Sequence, residues 1–425
     1  MAIMVSDNAY WLGKVPDDWG ISRIGDYYKL RNEKVSDIDY PPLSVTMKGI
    51  VPQLATAAKT DDHDNRKLVR KGDFAINSRS DRRGSCGISD YDGSVSLINT
   101  VLTPRGQMNP KYYDWLFHTE QFADEFYKWG HGIVDDLWTT RWQEMKSILI
   151  VSPPLAEQQA IADYLDDRCS KIDDIIAEAT ASIEEYKELK QAVITDAVTK
   201  GLRNRPLMYS GDPNIGDIAN NWRVCKTLYG LAMPITDGPH TTPELYSEGV
   251  PFISAEAVSC GQGSIDFDHM RGYISEEFYQ ECCKKYIPAI DDIYMIKSGA
   301  TTGRVSMVDM DRKFTIWSPL AVFRIDKTRM YARYLYYFLQ SRPYQQQVQL
   351  GWTFGTQQNI GMRTLEKLKI CMPPLDEQVE IAEYLDGRIG DMDALISEKQ
   401  ALIEDLQAYK KSLIYEVVTG KRRVV

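Results

Sequence analysis

Residues Pro153 to Arg168, PPLAEQQAIADYLDDR, return as PPLDEQVEIAEYLDGR at Pro373 to Arg388, displaced by 220 positions without a gap. Identities fall at Pro153, Pro154, Leu155, Glu157, Gln158, Ile161, Ala162, Tyr164, Leu165, Asp166 and Arg168, eleven of sixteen. The register holds further on, pairing Asp173 with Asp393, Ile183 with Ile403, and Val198-Thr199 with Val418-Thr419. A chain that spells one long segment twice is constrained to fold as two related halves.

Both copies carry helix signals. A Pro-Pro pair stops a strand-like run, Ile148 to Val151 in one case and Leu368 to Cys371 in the other, and an acidic first turn then suits a helix N-terminus. From Leu165 a 4-3 spacing selects Leu165, Cys169, Ile172, Ile176, Ala179, Ile183, Tyr186, Lys190, Val193 and Ala197, nine of them apolar. The same phase in the second copy selects Leu385, Ile389, Met392, Ile396, Lys399, Ile403, Leu406, Lys410, Leu413 and Val417, eight of them apolar. A seam sustained over more than four heptads is that of a coiled coil. Two unrelated amphipathic helices on separate domains are the alternative, but a shared seam phase favours mutual, antiparallel pairing about a pseudo-twofold axis. Roughly 33 residues of seam make a rod about 50 Å long.

At 425 residues the chain exceeds one ordinary domain. Each helical copy follows a segment rich in Tyr, Trp, Gly and short strand-like stretches. The expected class is α+β, with two mixed α/β domains separated by the two long helices: residues 1–152, helix 153–201, residues 202–372, helix 373–425. The two globular segments are faintly related. Trp19 in VPDDWGISRIGD matches Trp222 in IANNWRVCKTLYG; Pro42-Leu43-Ser44 matches Pro251-Phe252-Ile253-Ser254; GDFAINSRSDRRGSCG resembles DDIYMIKSGATTGRVS.

The net charge of -10 opposes a nucleic-acid partner only on average. Residues 155–201 hold 11 acidic and 5 basic side chains and residues 375–425 hold 11 and 7, so the helices account for -6 and -4. The remainder balances at 38 of each sign, which permits a locally positive face. No apolar run approaches the roughly 20 residues of a membrane span. The start, MAIMVSDNAYWLGKVPDDW, lacks the pattern of an export signal, so a cytoplasmic location without membrane association is expected. Seven scattered cysteines, none in CxxC spacing, argue against a disulfide framework and a zinc site.

The twice-used PPLxEQ-IA-YLD-R opening, with helices ending in Val-Thr-Lys-Gly and Val-Thr-Gly-Lys, resembles the repeated regions of type I restriction-modification specificity subunits, and the resemblance covers the whole chain. Further matches are Asp237-Gly238-Pro239-His240-Thr241-Thr242-Pro243 followed by Gly249 to Ser254, the loop Ser298 to Gly303, and Thr356-Gln357-Gln358-Asn359-Ile360. The resemblance implies a non-catalytic subunit with two target recognition domains, each reading one half of a bipartite double-stranded DNA site, with the helices setting the gap. A rod of about 50 Å covers roughly 15 base pairs. It also implies two modification subunits that use S-adenosylmethionine to methylate adenine, and restriction subunits with ATP and magnesium. No cofactor or metal is expected on this chain. The first domain departs from the second, having Asn77 to Gly84 where the second has its Gly-Ala-Thr-Thr-Gly loop. A coiled-coil adaptor that binds proteins without DNA specificity is the competing reading.

Catalytic patterns are weak. Asn109-Pro110-Lys111-Tyr112 lacks the second proline of an adenine methyltransferase motif, and Gly299 to Arg304 lacks the spacing of a phosphate loop. Glu144-Met145-Lys146 with Asp135 and Asp136 mimics a nuclease set, but such triplets are common. DNA reading needs forked or hydrogen-bonding side chains on loops over a rigid scaffold. The candidates are Arg79, Arg82 and Arg83 in one loop, Lys297, Ser298, Thr301, Thr302 and Arg304 in another, and Lys48, His240 and Thr241. Tyr334, Tyr336, Tyr337 and Phe338 have helical spacing and are assigned to the core.

Overall fold

Both copies of the repeat are single helices in the computed structural model, Leu155–Lys200 and Leu375–Val418, of 46 and 44 residues. The structure describes residues 7–54, 63–132, 138–261, 263–354 and 358–424. The chain divides into two compact units, residues 1–180 with 400–425, and residues 181–399. Each unit therefore contains the first stretch of one long helix and the last stretch of the other. In the first unit Leu165, Cys169 and Ile172 are buried with Leu413 and Val417. In the second, Leu385, Ile389 and Met392 are buried with Ile194, Ala197 and Val198. Start beside end means that the helices run antiparallel. Between 394 and 412 the positions that are not exposed are 396, 399, 403, 406 and 410, the expected seam. Each fully buried leucine of that seam contributes about 1.5–3 kcal/mol.

Register within the helix pair is marked twice. Lys190 Nζ lies 2.7 Å from Asp393 in the second unit, and Lys410 Nζ lies 2.6 Å from Asp173 in the first. The two pairs are equivalent, since Lys410 lies 220 positions after Lys190 and Asp393 lies 220 positions after Asp173. These partly exposed pairs add at most about 1 kcal/mol each, so their effect is on alignment more than on stability.

The repeated residues also bind each long helix to its globular domain. Trp19 Nε1 donates to Glu157 at 2.8 Å, as Trp222 Nε1 donates to Glu377 at 3.0 Å. Gln158 accepts from the Asn109 amide at 2.8 Å, as Gln378 accepts from the Tyr331 amide at 2.8 Å. The far ends match too. Tyr112 donates to the Val418 carbonyl at 2.7 Å, and Tyr334 to the Val198 carbonyl at 3.1 Å. Both helices end on a left-handed glycine, Gly201 and Gly420. Any Cβ there would crowd Trp222 at 2.9 Å or Pro16 at 2.5 Å, so glycine is required both by backbone and by space.

Each unit builds the same four-stranded antiparallel sheet. In the first the order is Tyr28–Arg31, Asn99–Pro104, Phe74–Asn77, Cys86–Ile88; in the second it is Thr236–Asp237, Leu320–Phe323, Ile293–Ile296, Val305–Met307. The runs FAIN and IYMI are buried along their whole length, as central strands covered on both faces should be. Gly20–Arg23 pairs with Leu149–Ser152 as Arg223–Lys226 pairs with Lys369–Met372, which supports the match of Trp19 with Trp222. Pro42 bridges Ser94 in parallel, as Phe252 pairs with Thr315 in parallel. Tyr334, Tyr336, Tyr337 and Phe338 lie in the core of the helix Ala332–Gln340. Asn109 caps the helix Pro110–Phe117, its side chain accepting from the Lys111 amide at 2.9 Å, a structural role that accounts for the Asn-Pro-Lys-Tyr run. No helix among the described residues is long and apolar enough to cross a membrane.

Candidate nucleic-acid interface

The two loops singled out in the sequence follow equivalent strands. After Phe74–Asn77 the chain passes through Ser78, whose hydroxyl is 2.8 Å from that of Thr100, then Arg79, which bridges Thr139. After Ile293–Ile296 the Lys297 amide donates to Pro319 at 2.8 Å, and Ser298 bridges Asn359. Thr139 and Asn359 are again 220 positions apart. Each loop is thus clamped to a second segment of its own unit, which gives exposed side chains a fixed base.

In the first loop a single 3-10 turn, Ser80–Arg82, projects the cations outward. Arg82 is 69% exposed, and Arg83 is 53% exposed and paired with Asp124. Arg79 is half-buried. Lys48 is exposed on the turn joining Leu43–Thr46 to Gly49–Pro52, its amide held by the Thr46 hydroxyl at 3.1 Å. That hairpin abuts strand Cys86–Ile88, where a Cβ on Gly87 would come within 2.7 Å of Gly49.

In the second loop the backbone turns tightly, with the Thr302 hydroxyl donating to Gly299 at 2.7 Å. Thr301 and Thr302 are half-buried, and exposed Arg304 donates to the Ser259 carbonyl at 3.1 Å. Lys297 is 12% exposed and points inward to Asp237 at 3.3 Å. His240, 73% exposed, lies 3.2 Å from the same carboxylate, and Thr241 is exposed beside it. The structure therefore joins the His240 turn to the Lys297 loop, although 57 residues separate them in sequence. Two cations that sequence reading passed over stand here as well. Lys285 donates to Asp237 and to the Gly238 carbonyl. Exposed Arg271 lies 3.8 Å over the Trp317 ring. Neither carries a local motif, and only the fold assembles them. Thr356, Gln357, Asp135 and Asp136 lie outside the described residues.

Residues 238–405 match the family model of the type I restriction modification DNA specificity domain. The chain is 24% identical over 429 residues to the MjaVIII specificity subunit of a type I restriction enzyme from Methanocaldococcus jannaschii, covering 97% of this chain and 94% of that protein. A second specificity subunit of that organism, MjaX, is described as putative and is also 24% identical, with 97% and 96% covered. Among solved structures, a chain from work on the assembly and conformational transition of the type I R-M system has a TM-score of 0.72 at 16% identity, covering 96% of this chain and 100% of that one. The HsdS subunit from Thermoanaerobacter tengcongensis has a TM-score of 0.54 at 17% identity, with 96% and 98% covered. The fold and the paired loops thus define a two-domain protein of the specificity-subunit architecture. Over nearly its whole length the chain is similar to type I restriction-modification specificity subunits, and residues 238–405 match their DNA specificity domain.

Proposed function

We propose that this chain reads a bipartite double-stranded DNA sequence, one half with each unit, and contributes specificity rather than catalysis to a type I restriction-modification complex. The observation that carries the reading is the duplication: the same sheet, the same clamped loop and the same helix anchors occur in both units. Two copies of one reading device suit a target in two parts, and long helices suit a fixed gap between them. Direct readout falls to the arginines at 79, 82 and 83 and to Ser298, Thr301, Thr302 and Arg304, with Lys48, Lys297, His240 and Thr241 beside them. The partners in this reading are two modification subunits, which bind S-adenosylmethionine and methylate adenine, and restriction subunits, which use ATP and magnesium. The work takes place in the cytoplasm, where the DNA is.

The test is exchange of residues 1–152 for the corresponding domain of a relative with a different target. One half of the recognised sequence should change and the other should stay. Loss or change of both halves would contradict the modular reading.

A further inference from the structure

Asp237 is fully buried, yet two lysines and a histidine surround its carboxylate. Lys285 pairs with Oδ1, while Lys297 and His240 lie 3.3 and 3.2 Å from Oδ2. One buried carboxylate needs one counter-charge. Lys297, at 12% exposure, faces that carboxylate from the inside at 3.3 Å, so two ammonium groups on one carboxylate leave one positive charge over. Lys285, at 47% exposure, is then a surplus positive charge held at the surface, and His240 is a further donor beside it. Among the described residues no other carboxylate lies within ion-pair distance of Lys285, Lys297 or His240; the neighbouring Glu281 is paired with Lys284. An ammonium has three donors. Two of those on Lys285 go to Asp237 and Gly238, leaving the third for an outside acceptor.

The base of this patch is rigid. A Cβ on Gly238 would meet the Ile316 carbonyl at 2.0 Å, so the turn is pressed against the backbone that precedes Trp317. The Ser318 amide donates to Pro239 at 3.2 Å and the Lys297 amide to Pro319 at 2.8 Å. On the Trp317 ring sits Arg271, exposed and without a carboxylate partner among the described residues. Stacking fixes the plane of its guanidinium while leaving the edge donors free.

We infer that Lys285, His240 and Arg271, held in place by Asp237, Lys297 and Trp317, grip the phosphate backbone of the DNA bound by the second unit. This rests on the DNA-reading function proposed above and deepens it by assigning backbone contacts to residues outside the two reading loops. Asp237 is a positioning residue: it fixes where the cations stand and does not itself meet the DNA.

The experiment uses the full chain in complex with its modification subunits and the duplex selected from a random pool, with affinity measured from 50 to 200 mM salt. Lys285→Gln and Arg271→Gln, both at exposed positions, should each lower the slope of log affinity against log salt by about one and leave the preferred sequence unchanged. Asp237→Asn keeps every cation, so non-specific affinity should hold while the ratio of selected to scrambled duplex falls. A merely structural ion cluster would leave the slope of Lys285→Gln and Arg271→Gln at the parental value, and that result would overturn the inference while the DNA-reading function stood. If the parental complex prefers no duplex, the function itself fails and the inference falls with it.

Discussion

Tyr334→Phe tests how the long helices are fastened to the recognition domains. The ring is fully buried, and its hydroxyl donates to the carbonyls of Val198 and Cys371, each at 3.1 Å. Val198 lies in the last turn of the helix Leu155–Lys200, where carbonyls have no partner within the helix. Burial pushes the Tyr334 hydroxyl well above its ordinary pKa, so it stays a donor at any pH of interest. Phenylalanine preserves the packing and strips this donor from two carbonyls, at a cost of about 1–3 kcal/mol. For a unit of this size that lowers the melting temperature by roughly 2–10 °C. The counterpart, Tyr112→Phe, strips the donor from the Val418 carbonyl at 2.7 Å and should cost a similar amount, since the single hydroxyl proton of Tyr334 is shared between its two carbonyls. Exposed Tyr209, replaced by phenylalanine, serves as the control. The assay is thermal unfolding by circular dichroism, with hydrogen exchange to show which unit has loosened. Protection should fall in residues 181–399 for Tyr334→Phe and in the first unit for Tyr112→Phe. A Tyr334→Phe protein as stable as the Tyr209→Phe control would refute the capping argument.

Three other outcomes follow from the geometry. Lys190→Asp should destabilise by about 1 kcal/mol or less and Asp393→Lys should restore the loss in the double variant, as chemical denaturation of a double-mutant cycle would show. Burial acts to raise the pKa of Glu377, but Arg205, Trp222 and Asn221 outweigh it and hold the carboxyl below its ordinary value of 4.5. A carboxyl with a depressed folded-state pKa stabilises above its unfolded pKa and loses that contribution as pH falls through the folded one. Glu377→Gln should therefore weaken the second unit at neutral pH and shrink its acid-dependent loss below about pH 4.5 in denaturation series, and an unaltered acid limb would contradict this. Deleting residues 176–182 together with 396–402 removes one heptad from each helix and leaves both register pairs in place. The rod shortens by about 10 Å, and the gap in the recognised sequence should shrink by roughly three base pairs, read by selection from random DNA.

The long helices were legible because their signal is periodic and repeated: the seam from Leu165 and the seam from Leu385 can be counted in the sequence and checked against burial. The relation of FAIN to IYMI was visible because a central strand buried on both faces reads as an apolar run. The identities at Glu157 and Gln158 were visible but not their meaning. A carboxylate waiting for a tryptophan 138 positions away, or an amide for the Asn109 backbone, has no local signature. The same holds for the positive patch. His240 and Lys297 were chosen for different loops, and nothing in the sequence indicated that Asp237 would bring them together with Lys285, 48 residues along. Long-range polar contacts depend on where the sheet places each turn, and that placement is set by packing, not by spacing.

Selection from a random DNA pool tests the central claim most directly, using the full chain together with the modification subunit proposed as its partner, at two salt concentrations. The account predicts enrichment of a two-part sequence with a fixed gap, with overall affinity but not the sequence changing as salt rises. Absence of any enriched sequence, with the partner and S-adenosylmethionine present, would contradict it and leave a coiled-coil adaptor that binds proteins as the better reading.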